Sequence, residues 1–565
     1  MSGPLCINSE TMPLIDRRLA ILNESIRALK RKKNDLLPIS KLPVELVTEI
    51  FLEYQSVMRA RPTIYWEQDK SRKMVEWIGI THVCQRWRDI ALNFSRLWIR
   101  IPAHYPSLAN EMAIRSRNAH LLVLVEISDP RAVEPCPSSI FQHASRFQVL
   151  KIAESSPALV AKVFQAIKPT PAPYLLKLKL SSMEQEEPVT ESSPIFDLLP
   201  IIDSRILDTR SLRRVQAPTT RRWDLNLFTG LTYLKLDDYG PALPRVQTSQ
   251  REFLDALRRM PTLRFLDLNE GILPEVVDVS SPEPVHLPSL RHLTLHDRVD
   301  LIAFFLNHVH FPLTTYTSIT IFPRTGHAFQ LAHISSVVGL LTRLVEGRRN
   351  TSKLRHVGVY FSEVEENPEN FVSLDIEAWA SSKGPLWLAE GRRPDQYMPF
   401  LKADFSFYVI IKPAEEAPDD IDGLLAYVFG IFPPDDVVSL YLWMCHKYPY
   451  YCSFEPFFRM VSQLPALDTI SLNPTLDDWF FEKLYKCDVQ RDGVGPSYPV
   501  LRYLDFTGCG MHDPDLMTLY KCLKKRSARG LGPRRLRMEL VGLRGDFERE
   551  MALLESVVDV VVWVT

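Results

Sequence analysis

This chain of 565 residues lacks an excess of charge of either sign, since 67 basic and 68 acidic residues leave a net of -1. Nothing in that balance calls for nucleic acid or an anionic membrane as a partner. It also lacks any apolar run near the about 18 residues of a membrane span. Pro4, Asn8 and Glu10 stand where a secretory signal needs an apolar core. The eight cysteines lack paired spacing, which fits reduced thiols rather than a disulfide framework. Together these absences predict a soluble protein of the cytoplasm, the nucleus or both.

Catalytic signatures are missing as well. The sequence has no GxSxG, no phosphate loop ending in GK[ST], no HExxH and no CxxC pair. Cys445-His446 with Cys452 has no fourth ligand at zinc-site spacing. His292 and His296 would share a strand face about 13 Å apart, too far for one metal, and His308 and His310 have no evident company. We therefore expect no metal, no cofactor and no chemistry from the chain itself. The remaining enzymatic reading would need a pocket in the irregular stretch 361–434, where Pro, Asp and Glu gather.

What is present is a recurring leucine pattern. Leucines fall at positions 1, 4 and 6 of strand-like hexamers at Leu231-Leu234-Leu236, Leu263-Leu266-Leu268 and Leu290-Leu293-Leu295, and as Leu501-Leu504-Phe506. Weaker copies lie at Leu150-Lys-Ile152, Leu175 to Leu180, Leu354 to Val359, Val438 to Leu442, Leu467 to Leu472 and Leu536 to Leu540. Helical patterns lie between several of them, at 251–260, 337–346, 454–464, 513–525 and 549–558. Pro261, Pro288, Pro465 and Pro499 stand just ahead of leucine patterns, where a helix must end and a strand begin. Strand and helix in alternation predict an α/β fold, closed by a last strand at Val557 to Val564. A doubly wound domain is the alternative, but there is no Gly-rich first turn to favour it.

The pattern resembles the leucine-rich repeat, stretched beyond its regular period of about 20 to 29 residues. The resemblance implies an irregular solenoid over 103–565, with parallel strands on the concave face, helices outside and a C-terminal cap. Residues between the leucines then point outward. That places Tyr233, Lys235, Phe265, Asp267, His292, Thr294, Tyr503 and Asp505 on an exposed surface suited to gripping a protein target.

The N-terminal part has a different pattern. Pro43 suits the first turn of a helix on which Leu46, Val47, Ile50, Phe51 and Tyr54 form one apolar face and Glu45, Glu49 and Glu53 the other. Val83, Trp87, Ile90 and Phe94 predict a second amphipathic helix, and Leu97-Trp98-Ile99 a short element closing over both. A unit of this size does not readily bury so much apolar surface alone. The two half-motifs, Leu42-Pro43 to Phe51 and Val83-Cys84 to Trp87, resemble an F-box over 38–102, with an insert at about 55–79 that carries Trp66 and Trp77. The insert resembles the longer form in F-box-like proteins of mushroom-forming fungi. The resemblance implies that Leu42, Pro43, Leu46, Ile50, Phe51, Val83, Cys84, Trp87 and Trp98 meet a Skp-type adaptor of a cullin-RING ubiquitin ligase. The chain would then be a substrate receptor, or, alternatively, a scaffold whose F-box helices are buried on its own solenoid.

Ahead of the F-box, Ile15, Leu19, Leu22, Ile26 and Leu29 make a short heptad seam in 1–37, read as a helix packed on the F-box rather than a self-associating one. Lys30 to Lys33, Lys524-Lys525-Arg526 and Arg534-Arg535 are read as solvated helix ends before nuclear signals.

Overall fold

The computed structural model describes residues 11–60, 75–103, 105–126, 138–153, 157–167, 172–180, 211–218, 228–237, 249–269, 271–275, 283–322, 331–349, 353–363, 372–380, 404–411, 425–444, 455–473, 478–486, 496–506, 513–539 and 548–564. The protein is α/β, with a helical N-terminal segment and a large, mostly parallel sheet accompanied by helices. Its contacts divide it into two compact units, 1–185 with 199–214, and 186–198 with 215–565.

The first unit opens with α1 (Thr11–Asp35). Its heptad seam does not pack as expected, for Ile15, Leu19, Leu22, Ile26 and Leu29 are all exposed. Helix α2 (Val44–Ala60) begins immediately after Pro43, whose carbonyl accepts the Val47 N–H at 3.2 Å. Three 3-10 helices (Pro38–Lys41, Glu76–His82 and Ser95–Trp98) and α3 (Gln85–Asn93) complete the helical group. The insert is thus shorter than expected, because α2 continues to Ala60 and Trp77 already belongs to the core. Trp66 lies outside the described residues.

A parallel sheet follows in the order β1 (Arg100–Pro102), β2 (Leu121–Glu126), β3 (Phe147–Ala153) and β4 (Lys177–Leu180). Ile101, Val123, Leu150 and Leu178 pair in register and are fully buried, as are Ile152 and Leu180 on the next row. The helix α4 (Pro106–Arg115) between β1 and β2 buries Ala109, Met112 and Ala113. Two further helices, α5 (Ser138–Phe141) and α6 (Pro157–Ile167), stand on either side of β3 in the chain. The strand β5 (Arg214–Pro218) straddles the division between the units.

In the second unit, β6 (Tyr233–Asp237), β7 (Phe265–Leu268), β9 (His292–Arg298) and β11 (Tyr316–Phe322) pair in parallel. A separate small pair is made by β8 (Val285–His286) and β10 (Val309–His310). At the other end β12 (His356–Glu363), β15 (Ser439–Met444), β16 (Thr469–Asn473), β17 (Tyr503–Phe506), β18 (Arg535–Glu539) and β19 (Val560–Val564) are again parallel. All five helical stretches named from the sequence form, as α7 (Gln250–Arg258), α9 (Leu331–Arg348), α10 (Glu455–Val461), α12 (Asp513–Ser527) and α13 (Glu548–Glu555); α8 (Val299–His308) and α11 (Asp478–Tyr485) add to them. Ser249 and Glu252 form a capping box that starts α7 by satisfying two N-terminal amides reciprocally.

The expectation of parallel strands throughout is corrected in the middle. Here β13 (Val372–Trp379) and β14 (Phe405–Ile411) enter, and β13 runs antiparallel to both β12 and β14 while β14 pairs with β11. The chain therefore passes from β11 to β12 three positions away and returns through β13 and β14 to fill the gap. Part of the irregular stretch 361–434 lies outside the described residues, but these two strands belong to the sheet.

Proline has the place its chemistry predicts. Met260-Pro261-Thr262-Leu263, Leu287-Pro288-Ser289-Leu290 and Tyr498-Pro499-Val500-Leu501 are each closed by a hydrogen bond from the fourth residue to the first, with Pro at the second position of the turn. The next strand then starts in the same manner each time. Two successive amides, Arg264 with Phe265, Arg291 with His292, Asp468 with Thr469, or Arg502 with Tyr503, donate to one carbonyl of the preceding strand's entry, at Thr232, Arg264, Val438 and Asp468.

Candidate functional site

The helical group at 38–102 has a closed core of its own. Val47, Phe51, Met58, Trp77, Ile80, Ala91, Leu97 and Trp98 are buried, with Phe51 edge-on to Trp87 at 5.1 Å and Trp77 edge-on to Trp98 at 5.1 Å. The polar atoms this brings inside are satisfied: Trp98 Nε1 donates to Ala91 O at 2.7 Å and Gln55 Nε2 to Leu97 O at 3.0 Å. Arg115 lies 4.5 Å over the Trp98 ring. Cys84 is the N-cap of α3, its sulfur accepting the Trp87 N–H at 3.5 Å. Arg86 reaches back to Leu42 O at 2.6 Å and fixes the entry to α2.

This arrangement separates the nine residues assigned to the adaptor face. Phe51 and Trp98, at 1% and 0% exposure, are core residues and offer no surface to a partner. Cys84 and Trp87 are half-buried supports, and Leu42 is half-buried too. Leu46 at 52%, Ile50 at 43% and Val83 at 60% are exposed, as is Pro43. Val83 is therefore not part of the buried stripe expected for α3. Tyr54 and Val57 extend the stripe of α2 at the i+8 and i+11 positions from Leu46 and are exposed as well. A largely apolar stripe outside a completed core marks a surface for association.

The second candidate surface is the strand face opposite the buried leucines. On its first row in unit 2, Tyr233 stacks on Phe265 with centroids 4.3 Å apart, Phe265 lies 5.7 Å from His292, and His292 lies 5.7 Å from Tyr316. The register places these four side by side across β6, β7, β9 and β11. The row was legible for its first three members; Tyr316, on a strand without the leucine pattern, was missed. Tyr503, on β17, is exposed at 42%, and Thr294 is half-buried.

Asp267 and Asp505 are corrected. Each is only 7% exposed and is turned to a cation in its own sheet, Asp267 to Lys235 at 3.0 Å and Asp505 to Arg537 at 3.8 Å. Charges paired across neighbouring strands stabilise the sheet and leave less of themselves to a ligand. Arg526 is corrected as well: rather than a solvated helix end, it is fully buried and donates to the carbonyls of Leu484, Ser497, Tyr498 and Leu531.

Beyond Tyr316 the same face holds acids and tyrosines that sequence reading passed over. Asp375 on β13 faces Tyr360 of β12 and Tyr408 of β14, and Glu377 faces Gly358 and Ser406. The Tyr360 ring lies over Gly358, where a Cβ would come within 2.9 Å of it. Removal from solvent pushes the Asp375 carboxyl up to about 7, helped by the charge of Glu377, and burial likewise raises Glu377. The Tyr360 hydroxyl is raised by burial first and then by Glu377, Tyr441 and Asp375.

Among the described residues no group of three or more His, Cys, Asp or Glu is placed to hold a metal ion, and no helix is long and apolar enough to cross a membrane. Cys445, His446 and Cys452 lie outside the described residues. No protein-family model matches this chain, and no curated protein sequence matches it either.

Proposed function

We propose that this chain is an F-box-type substrate receptor that joins a protein target to a cullin-RING ubiquitin ligase through a Skp-type adaptor. One observation carries the reading: Leu46, Ile50, Tyr54, Val57 and Val83 are exposed on a helical group whose own core is already closed. These apolar side chains stand within the segment that resembles an F-box. Their exposure also favours the receptor over the scaffold, in which the same helices would be covered. In this reading 1–37 is a leading helix, 38–102 the adaptor-binding unit and 103–565 the repeat array.

The array supplies the other end. Buried leucines at every second position, proline turns at strand entry and the repeated two-to-one amide contacts favour a degenerate leucine-rich-repeat solenoid. Tyr233, Phe265, His292 and Tyr503 offer aromatic area for a target, which fits the composition of protein interfaces. The chain performs no chemistry in this reading and works in the cytoplasm or nucleus by proximity. Holding a target lysine beside activated ubiquitin makes a bimolecular encounter effectively unimolecular.

Capture of the full-length chain on immobilised recombinant Skp-type adaptor tests the proposal. We expect capture to be lost in the Leu46→Asp, Ile50→Asp double variant, whose thermal unfolding should be little changed because both side chains are already exposed. Undiminished capture by that variant would overturn the site.

A further inference from the structure

The strand face of the first unit has a composition of its own. Two register rows cross it, one of Arg100, Leu122, Val149 and Lys177, the other of Pro102, Leu124, Lys151 and Lys179. Leu122, Leu124 and Val149 are half-buried and form an apolar floor. Arg100 flanks that floor on β1, and Lys151, Lys177 and Lys179 flank it on β3 and β4. Arg100 and Lys151 are exposed, and Lys177 and Lys179 reach solvent in part. Arg214, whose N–H donates to Leu176 O at 3.0 Å, adds its charge beside Lys177.

Like charges placed directly opposite each other on neighbouring strands destabilise a sheet. Lys151 and Lys179 are such a pair. Although Lys151 reaches solvent, partial desolvation against the sheet first, and then repulsion from Lys177, Lys179 and Arg100, holds its ammonium below the usual lysine range. Lys177 is lowered by burial and by Arg214 and Lys179, and Arg100, although it reaches solvent, by partial desolvation alone. Among the described side chains, which do not include that of Glu126 on β2, no carboxylate forms an ion pair with Arg100, Lys151, Lys177 or Lys179. In the second unit, by contrast, Lys235 and Arg537 each face an aspartate.

We propose that the strand face from β1 to β4 binds an extended acidic segment of a partner protein, with carboxylates against Arg100, Lys151, Lys177 and Lys179 and apolar side chains on Leu122, Leu124 and Val149. This rests on reading the strand faces as the target-holding end of the receptor, and it names the chemistry of the target. Charge complementarity selects the sign of the partner. The aliphatic floor selects a peptide over a single-stranded nucleic acid, which would need aromatic side chains to stack its bases. The face also spans only about 15 Å across its four strands, the width of a short segment rather than a long polyanion track.

Fluorescence anisotropy with the full-length chain and a labelled peptide of mixed Glu and Leu tests this, beside a Lys and Leu counterpart and a single-stranded oligonucleotide. The acidic peptide should bind, weaken as salt is added, and bind about tenfold more weakly to the Lys151→Gln, Lys179→Gln double variant. Both side chains reach solvent, so thermal melting should show that variant folded. Absent binding of the acidic peptide, equal binding by the variant, or equal binding of the oligonucleotide would each overturn the proposal. Adaptor capture by the same variant separates the two readings. Peptide binding without adaptor capture supports the acidic-segment site and counts only against the ligase connection.

Discussion

The strand face of β1 to β4 and that of β6 to β19 come from one alternation of buried and outward residues, yet they treat charge in opposite ways. In the second unit, cations on or behind the strands are absorbed by the fold. Lys235 meets Asp267, Arg537 meets Asp505, and Arg526 is enclosed by carbonyls. In the first unit, Arg100, Lys151, Lys177 and Lys179 gather around an aliphatic floor and make no ion pair with any carboxylate side chain that is described. Strand period decides which side chains leave the core. It does not decide what they meet. A charge with a partner inside its own sheet serves stability, whereas a same-sign cluster weakens the sheet and is left to a ligand.

The largest test of this contrast lies at Arg526. Replacing it with Leu keeps an apolar stem but removes the donors to Leu484, Ser497, Tyr498 and Leu531. One of those carbonyls belongs to Tyr498, held at φ 51 in the left-handed region. Unsatisfied buried carbonyls at this density should cost about 3 kcal/mol or more. Urea unfolding checks it, with Lys524→Leu at an exposed site changing stability by less than about 0.5 kcal/mol. Equal midpoints for the two variants would break the claim that this cation is structural.

Asp375 should show the next effect, visible through pH. Its carboxyl titrates near 7 when folded against 3.8 as its ordinary value, so the folded chain binds the proton more tightly than the unfolded chain. Stability from this group is therefore full below about pH 4 and falls as pH rises through 7. Asp375→Asn should flatten that decline and leave the variant more stable at pH 8, by about 1 to 4 kcal/mol. Thermal melts at pH 5 and pH 8 measure it. A wild-type chain equally stable at both would remove the buried acid from the account.

The sequence made part of this plan readable and hid the rest for physical reasons. Leucine spacing located β6, β7, β9 and β17, and prolines located the turns before the last three, because both patterns are local. It failed at β13 and β14, since Val372 to Trp379 alternates apolar and polar residues without leucine at the expected positions. Their antiparallel placement between β11 and β12 depends on pairing partners far away in the chain. Apolar periodicity on α2 found the right helix but could not divide its broad apolar face into the inward Val47 and Phe51 and the outward Leu46 and Ile50. Lys151, Lys177 and Lys179 stood between leucines already noted. Their significance appeared only when register set the strands side by side.

A smaller effect is expected at the Lys235 and Asp267 pair. The two are 3.0 Å apart with side chains 27% and 10% exposed, so the interaction is partly screened. A double-mutant cycle with Lys235→Met and Asp267→Asn should give a favourable coupling of about 1 kcal/mol. A coupling of zero would mean that unit 2 gains nothing from the pairing and would narrow the contrast to Arg526.

The smallest effect has the opposite sign and is therefore the sharpest. Lys179→Gln removes one of two facing lysines while keeping a polar side chain of similar reach on β4. If the cluster is held for a ligand, the free chain should become slightly more stable, by about 0.3 kcal/mol at low ionic strength. The gain should vanish near about 1 M salt, where the screening length falls to roughly 3 Å. Lys235→Met in unit 2 should instead lose stability under the same conditions. Paired melts of the two variants at low and high salt read the difference directly. A loss at both lysines would mean that Lys179 has a stabilising partner, and the face from β1 to β4 would then be an ordinary satisfied surface.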